Sequence, residues 1–429
     1  MIIRTFRFLY LVTLVAWSSP AFADNWPSWR GPDNLGISTE KNIPSEWSDE
    51  KNIAWKAKMP GIGASTPVVW GDKIFLSSEE GDSTVLLCLD AKDGKEIWKQ
   101  KVGIVPKKPQ FQAGENSAAT SSPSTDGKHV WVAVGSGELA CFDVAGKEIW
   151  KFNAQERYGK FKYQFGMHST PVLYGDKLYW QLIHSIPGYV ICIDAKTGEE
   201  VWKVVRKSDG IQENEHSYAS TMIWHNGDKA YLLAHGNDYC TAHDLKDGSE
   251  IWRVTELNAK AKYDRTLRFV ASPLATPELI IVPTAKRGPV VAVKPDAKGT
   301  FGPGSEFEQF RFETTPDVPS PLLKDGLVYL CSASGQLTCL DAKTGKAYYK
   351  NERFHEAKYR SSPVYADGKI YLSGHDGTVT VVKAGEKFEI LAKNRLNDRV
   401  SASPVISNGR LYIRGFDNLY AIGTLKSTN

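Results

Sequence analysis

Short stretches of alternating apolar and polar residues recur along the chain, and turn-forming residues separate them. Gly71 and Asp72 lie between two such stretches, and Ser136, Gly137 and Glu138 lie between two others. A turn of the form Asp-x-x-x-Gly precedes a last stretch that carries an aromatic residue. Alternation with a period of two, broken by such turns, is typical of antiparallel β-hairpins. No helical period competes with it, so we expect an all-β protein.

The same unit is repeated along most of the chain. Each unit opens with a Ser-Pro or Ser-Thr-Pro motif, reduced to Ser-Thr in one case, and the eight openings are Ser65-Thr66-Pro67, Ser122-Pro123, Ser169-Thr170-Pro171, Ser220-Thr221, Ser272-Pro273, Ser320-Pro321, Ser362-Pro363 and Ser403-Pro404. Consecutive openings lie roughly 41 to 56 residues apart, which is the period of a four-stranded propeller blade. The pattern predicts an eight-bladed β-propeller whose blades are antiparallel meanders of four strands.

The last unit, residues 403–423, supplies only three strands before the chain ends. Residues 52–56 precede the first unit and have the character of an outer strand, with Trp55 as its aromatic residue. Pairing of this segment with residues 411–422 closes the ring and removes exposed sheet edges. We therefore predict a signal peptide over residues 1–23, an N-terminal extension packed on the propeller over 24–51, the propeller over 52–423 and a tail over 424–429.

An aromatic residue ends most units. Because these positions repeat with the fold, we predict that the rings pack between neighbouring blades, where large aromatic side chains contribute strongly. The alternative is a set of stacking platforms for a ligand. The predicted docking residues are Trp55, Trp98, Trp150, Trp202, Trp252 and Tyr349.

The unit endings that run from Leu89 to Trp98 and from Leu340 to Lys346 resemble the tryptophan-docking repeat of PQQ-type quinoprotein propellers. The same repeat occurs in BamB-like scaffolds of outer-membrane assembly, and residues 26–32 resemble the N-terminus of secreted PQQ-like repeat proteins. The resemblance covers about residues 52–423 and implies a fold rather than a function. It also implies what a quinoprotein dehydrogenase needs: adjacent cysteines, a flat tryptophan on PQQ and a calcium site.

The sequence lacks several of these quinoprotein features. It has no adjacent cysteines, and Glu115-Asn116 supplies only part of a calcium site, which takes six to eight oxygens. Cys88, Cys141, Cys192 and Cys339 occupy equivalent positions in different units and are expected to be buried and unpaired. Cys331 and Cys339 are symmetric about Gly335, which leaves a disulfide across one hairpin open as an alternative. PQQ with calcium remains the alternative to a protein without a cofactor.

The N-terminal residues predict export. Arg4 and Arg7 precede an apolar run over residues 8–17 and then Ala21-Phe22-Ala23, a small-x-small cleavage site. Asp24, not cysteine, follows the cleavage site, so a lipid anchor there is not expected. We predict a periplasmic or secreted protein without a transmembrane segment. Its net charge of +4 falls to +2 when the two arginines are removed, which argues against nucleic acid as the partner.

The segments that enter each blade descend toward the propeller axis, so residues three or five positions before each opening proline, or before its equivalent Thr221, are expected around one mouth. These are His168, His216, Tyr218, Arg268, Lys358, Arg360 and Arg399, to which we add Glu115 and Asn116. They predict a cationic funnel for an anionic small molecule or an acidic peptide, since arginine suits carboxylates. The alternative is a solvated channel whose basic groups offset Glu115, Glu215 and Asp398. His168 and His216 lack a third convincing metal ligand.

No catalytic motif is complete in the sequence. The glycine-lysine pairs lack the Ser or Thr of a phosphate loop, and His355-Glu356 is not followed by the second histidine of a zinc protease. We therefore expect a monomeric, non-catalytic binding or scaffolding propeller with an envelope protein partner. The alternatives are a quinoprotein-type oxidoreductase or sensor, and carbohydrate binding through Trp26, Trp29 and Trp47, rings that otherwise pin the extension to the propeller.

Overall fold

The computed structural model describes residues 25–48, 50–107, 114–286 and 288–424, so the predicted signal peptide lies outside the described residues. Within these ranges the helical segments are short: α1 (Ala154–Tyr158) and two 3₁₀ turns, Gln212–Glu215 and Lys260–Lys262. No helix in the described ranges combines the length and apolar character that crossing a membrane requires. The strands are β1 (Ile53–Lys58), β2 (Val68–Trp70), β3 (Lys73–Glu80), β4 (Ser83–Asp90), β5 (Glu96–Ile104), β6 (Ser124–Thr125), β7 (His129–Ala133), β8 (Glu138–Asp143), β9 (Glu148–Asn153), β10 (Val172–Tyr174), β11 (Lys177–Leu182), β12 (Gly188–Asp194), β13 (Glu200–Arg206), β14 (Met222–Asn226), β15 (Lys229–Gly236), β16 (Tyr239–Asp244), β17 (Glu250–Val254), β18 (Leu274–Ala275), β19 (Ile280–Val282), β20 (Val290–Val293), β21 (Gly299–Phe301), β22 (Glu308–Phe312), β23 (Leu322–Lys324), β24 (Leu327–Cys331), β25 (Gln336–Asp341), β26 (Ala347–Arg353), β27 (Val364–Ala366), β28 (Lys369–Ser373), β29 (Thr378–Lys383), β30 (Ile390–Arg395), β31 (Val405–Ser407), β32 (Arg410–Arg414) and β33 (Asn418–Ile422).

These strands form eight sheets, each an antiparallel blade, and blade 4 alone adds one parallel strand. Blade 1 is β2–β5, blade 2 is β6–β9, blade 3 is β10–β13, blade 4 is β14–β17 with β21, blade 5 is β18, β19, β20 and β22, blade 6 is β23–β26, blade 7 is β27–β30, and blade 8 is β31–β33 with β1. The predicted all-β, eight-bladed propeller is confirmed.

The ring closes through blade 8, which combines the two ends of the described chain. Strand β1 pairs antiparallel with β33, so that Ile53 lies opposite Ile422 and Lys58 lies opposite Asn418. The closing strand therefore extends two residues beyond the predicted segment. Only the C-terminal part of residues 411–422 pairs with it, because β32 lies on the other side of β33.

Blade 4 departs from the predicted four strands. Strand β21 leaves the connection between β20 and β22 of blade 5 and adds to the outer strand β17 in parallel, with Trp252 opposite Gly299 and Val254 opposite Phe301. Phe301 is buried there, and its ring lies 5.9 Å from that of Trp252. This insertion has no counterpart in the other repeats, so the period could not predict it.

The Asp-x-x-x-Gly turns stabilise the end of the third strand in several blades. In blade 3 the carboxylate oxygen Oδ1 of Asp194 accepts hydrogen bonds from the backbone N–H groups of Lys196 and Thr197, both at 3.0 Å. The N–H of Gly198 donates to the carbonyl of Asp194, and Gly198 has a φ of 74°, which favours glycine. These hydrogen bonds, together with the glycine, account for the shape of the turn.

The hydrophobic core lies between neighbouring blades. Phe75 of blade 1, for example, is fully buried in one cluster with Val130 and Val132 of blade 2. Each blade thus buries its two faces against its neighbours, and apolar burial of this kind contributes about 25 cal/mol per Å². The blades are stable together rather than singly.

The predicted docking residues lie between blades, at the turns of the following blade. The indole N–H of Trp98 donates to the carbonyl of Val144 at 3.1 Å, and a Cβ on Gly146 would lie 2.8 Å from the same indole. Equivalent bonds join Trp55 to Ala91, Trp150 to Ala195 and Trp202 to Leu245. Trp252 differs because it packs on Phe301 of the inserted strand, and Tyr349 packs on Phe388 at 5.6 Å.

The N-terminal extension crosses the face that carries the turns between the first two strands of each blade. Trp26 pairs with Val69 through two backbone hydrogen bonds of 2.8 and 2.9 Å. Further along, Ser38 donates to the carbonyl of Tyr365 at 2.9 Å, and the backbone of Trp47 donates to Asn394 at 2.9 Å. Trp26 and Trp47 are buried in the core cluster of blades 1, 7 and 8.

The cysteine alternative is settled by the register of blade 6. Cys331 lies opposite Leu337, and Cys339 lies opposite Tyr329, because the hairpin is centred one residue before Gly335. The two thiols are free and buried, as are those of the other four cysteines. The disulfide alternative is therefore wrong.

Candidate functional site

One hydroxyl from each blade forms a closed ring around the propeller axis. The hydroxyl oxygen of each member accepts a hydrogen bond from the backbone N–H of the equivalent residue in the preceding blade, at 2.9–3.1 Å. We call this set the hydroxyl ring, and its members are Thr66, Ser122, Thr170, Ser220, Ser272, Ser320, Ser362 and Ser403. Seven of the eight precede a proline, which favours extended backbone at the residue before it.

The hydroxyl ring surrounds a cavity of about 290 Å³, and all eight members line it. On one side the N-terminal extension approaches the ring: Trp29 lines the cavity, and Arg30 donates to the carbonyls of Pro321 and Pro363, the residues directly after two ring members. On the other side the wall includes Glu115 and Arg360. The extension thus lies across one end of the axis. Glu115 and Arg360 lie at the opposite end, which we call the mouth.

Three of the predicted residues meet at this mouth. Lys358 donates to Oε1 of Glu115 at 2.6 Å, and Arg360 donates to Oε2 through Nη2 at 2.7 Å. Burial raises the pKa of the Glu115 carboxyl, but the hydrogen bonds from Lys358 and Arg360 outweigh it and hold that pKa below its ordinary value. One carboxylate therefore offsets part of the positive charge that was expected to attract an anion, because Lys358 and Arg360 share it.

Arg268 and Asn116 also line the cavity. The Arg268 guanidinium bonds Glu213 at 3.1 Å and lies 4.7 Å from the centre of the Phe165 ring. The amide of Asn116 contacts the Phe165 carbonyl at 3.4 Å, while its buried oxygen has no partner among the described residues. Arg268 is thus paired like Arg360.

His168 and Tyr218 form the aromatic part of the wall, with ring centres 5.2 Å apart. The hydroxyl oxygen of Tyr218 accepts the backbone N–H of Phe165 at 3.2 Å. Burial lowers the pKa of His168 to about 4, so this imidazole is neutral at neutral pH. His216 lies behind Tyr218 at 6.4 Å and does not line the cavity.

The remaining predicted residues lie outside the cavity. Lys358 has a side chain that is 63% exposed at the rim, and the guanidinium of Arg399 lies 5.0 Å from the centre of the Phe416 ring. The solvated-channel alternative expected Glu115, Glu215 and Asp398 to offset the basic groups. Glu115 does so for Arg360, but the acid that pairs with Arg268 is Glu213, not Glu215. Asp398 instead accepts hydrogen bonds from the backbone of Asp417 and Asn418.

Sequence reasoning missed the hydroxyl ring itself. The Ser-Pro openings were used only to mark where each repeat starts. Their strict recurrence was the signal that could have predicted eight equivalent hydroxyl groups at the axis. It also missed Lys286 and Asp317, which line the cavity. Trp29, named as a candidate for carbohydrate binding, lies in the cavity wall because of the path of the extension.

The described residues contain no group of three or more histidine, cysteine, aspartate or glutamate side chains placed to hold a metal ion. Glu115, the centre of the calcium hypothesis, uses both oxygens for Lys358 and Arg360. A calcium ion takes six to eight oxygen ligands. The residues present therefore do not fit the calcium-held quinone that the repeat implies.

Comparison with known proteins places the chain among related propellers. The family model described as outer membrane protein assembly factor BamB matches residues 47–131, 135–299 and 303–387. The outer membrane protein assembly factor BamB of Burkholderia pseudomallei (strain K96243) is 24% identical over 221 residues, 50% of this chain and 50% of that protein. Quinohemoprotein alcohol dehydrogenase ADH-IIG of Pseudomonas putida is 28% identical over 192 residues, 42% of this chain and 25% of that protein.

A solved structure shows the same fold. The crystal structure of BamB from Moraxella catarrhalis matches with a TM-score of 0.61 at 14% identity, over 86% of this chain and 98% of that chain. The alignments with the two curated relatives span half of one protein and a quarter of the other. The likeness establishes the architecture, and the function has to be argued from surfaces.

Proposed function

This chain belongs to the family described as outer membrane protein assembly factor BamB, and on that premise we propose that it is an exported, non-catalytic scaffolding propeller that holds a protein partner in the cell envelope. The predicted signal peptide and the wording of the family description both support an envelope location. The axial wall, built of hydroxyl, aromatic and paired charged groups, suits binding rather than catalysis.

The observation that carries this proposal is the outer edge of blade 3. Strand β13 pairs only with β12 among the described strands, so its other edge is open. It exposes Val201 at 46% and Val205 at 54%. Ile186, which precedes β12, and Ile211, which follows β13, are also exposed. An open edge with apolar side chains is a template for an added strand.

The neighbouring blade supports strand addition as the mode of binding. In blade 4 the corresponding edge of β17 is covered by β21, a strand supplied in parallel by another part of the chain. Blade 3, like the other blades apart from blade 4, leaves the same edge uncovered by any described strand, and its outer strand also exposes Val201 and Val205. We therefore propose that an extended, largely apolar segment of an envelope protein adds to β13.

A matched pair of lysine substitutions tests this surface. Val205→Lys places a charge on the open edge of blade 3, and Ile104→Lys is its control, because Ile104 lies on the outer strand of blade 1 with 53% exposure. Cross-linking and affinity capture from envelope extract are expected to recover a partner with the unaltered protein and the control but not with Val205→Lys. Recovery of the same partner with Val205→Lys, or of none with the unaltered protein, overturns the proposal.

The second candidate is an oxidoreductase or sensor that binds PQQ or another anion in the funnel. It is favoured by the likeness to the quinohemoprotein relative, although two of the three arginines expected to hold the anion already bond Glu115 and Glu213. Reconstitution with PQQ and calcium, followed by dye-linked oxidation of alcohols and sugars, tests it. A quinone spectrum with turnover would replace the scaffold proposal.

A further inference from the structure

The hydroxyl ring presents hydrogen-bond donors that the protein does not use. Each member accepts one backbone N–H, but no member donates its own hydroxyl hydrogen to another described residue. Each oxygen also retains a second lone pair. Eight groups that can both donate and accept therefore face the axial cavity and need partners inside it.

Most charged groups of the wall already have a partner of opposite charge, which disfavours a strongly charged occupant. Arg360 bonds Glu115, and Arg268 bonds Glu213. Lys286 and Asp317 line the cavity together, one positive and one negative. An anion in this cavity would compete with carboxylates that are already bound, while a neutral ligand would not.

The cavity also has apolar surface beside its hydroxyl groups. Trp29 and Phe165 contribute aromatic rings, and Val270 and Val318 contribute aliphatic side chains. The volume of about 290 Å³ lies at the small end of ligand pockets. The occupant that matches is compact, with many hydroxyl groups and some exposed C–H surface.

We propose that the axial cavity binds a neutral polyol of monosaccharide size on the hydroxyl ring. Sugar hydroxyl groups donate and accept hydrogen bonds as water does. The ring hydroxyl groups therefore keep hydrogen-bond partners when such a ligand takes the place of solvent. Its C–H faces contact the aromatic and aliphatic part of the wall. The inference is independent of the strand-addition surface, which lies on the outer edge of blade 3.

Titration calorimetry on the full mature chain tests the proposal with D-glucose, D-galactose and N-acetyl-D-glucosamine as neutral probes and D-glucuronate as the charged control. At least one neutral sugar is expected to bind with a Kd of about 1 mM or tighter, and D-glucuronate more weakly. If no neutral probe binds in this range, or if D-glucuronate binds most tightly, the proposal is wrong.

Two substitutions at Thr170 test whether the sugar binds at the hydroxyl ring or at another site. Thr170→Ser keeps the hydroxyl, while Thr170→Val keeps the shape and removes it. We expect unchanged affinity for the serine variant and a loss of about threefold to tenfold for the valine variant, the effect of one or two hydrogen bonds. Equal affinities for the two variants contradict the proposal.

A second position covers the case in which Thr170→Val does not fold, since this hydroxyl also accepts the N–H of Ser122. Ser320→Thr keeps the ring hydroxyl, because threonine already occupies two ring positions, and adds a methyl group toward the cavity. It is expected to fold and to weaken binding of the neutral sugar. Binding at full strength would place the sugar elsewhere and overturn the proposal.

Discussion

Arg360 binds Glu115 through two nitrogens, with Nε 3.0 Å and Nη2 2.7 Å from the same oxygen, although 245 residues separate the two in sequence. Ser401 adds a hydrogen bond of 2.9 Å to the Glu115 carbonyl. The segment that leads into blade 2 is thereby tied to the segments that enter blades 7 and 8. These contacts join distant parts of the ring at the mouth opposite the N-terminal extension.

Replacing Glu115 by glutamine is expected to destabilise the protein by about 1–2 kcal/mol, because Arg360 and Lys358 lose a charged partner in a half-buried site. The Glu115 pKa is lowered in the folded state, so its contribution is present above the ordinary carboxyl pKa and is lost as pH falls through the lowered value. Urea unfolding at several pH values measures this. The difference between the two proteins should shrink in acid, and a constant difference would contradict the assignment.

Burial of His235 is expected to make stability fall as the solution becomes acidic. This side chain is fully buried against Phe269, and burial lowers its pKa to about 3. Between its ordinary pKa of about 6.5 and the lowered value, the unfolded chain binds a proton that the folded chain does not.

The variant His235→Phe removes that proton linkage. Relative to the unaltered protein, its free energy of unfolding should improve by about 2 kcal/mol between pH 7 and pH 4.5. Chemical denaturation at both pH values measures the change. His129→Phe is the control substitution, because the His129 side chain is 30% exposed and contacts Asp126 instead of lying in the core.

The docking tryptophans are expected to stabilise the junctions between blades. Trp98→Phe loses the hydrogen bond to Val144 and should cost about 1 kcal/mol, whereas Trp98→Ala also loses ring packing and should cost about 3 kcal/mol. Thermal unfolding measures both. Ile97→Ala changes the exposed neighbouring residue and should stay within about 0.5 kcal/mol of the unaltered protein. A larger loss at Ile97 would show that the destabilisation is not specific to the contacts that Trp98 makes between blades.

Removal of β33 is expected to abolish cooperative unfolding. A chain that ends at Gly415 leaves β1 without its partner strand and opens blade 8. Limited proteolysis and calorimetry should show rapid cleavage and no single transition. A chain that ends at Gly423 retains β33 and should behave like the full chain, and equal stability of both truncations would rule out a role for this closure.

The repeat made most of the fold predictable, because each Ser-Pro opening and each Asp-x-x-x-Gly turn has a local physical cause. The closing strand was also predictable, since the last unit lacked one strand and the first was preceded by one. Strand β21 was not, because its pairing depends on an insertion that occurs once. Lys358 and Arg360 were placed at the axis by counting, and Glu115 was one of three acids expected to offset the basic groups, but its pairing with these two residues follows only from the three-dimensional path of the chain.

The closed ring of hydroxyl hydrogen bonds has a consequence for how the chain can be cut. The bond from Ser403 to Thr66, which joins the last repeat to the first, has the same atoms and nearly the same length as the seven bonds within the continuous chain. At the axis, the hydrogen-bond pattern therefore does not distinguish the junction between the last repeat and the first from the other seven junctions. Such a molecule is suited to circular permutation, in which the original ends are linked and new ones are opened between any two blades.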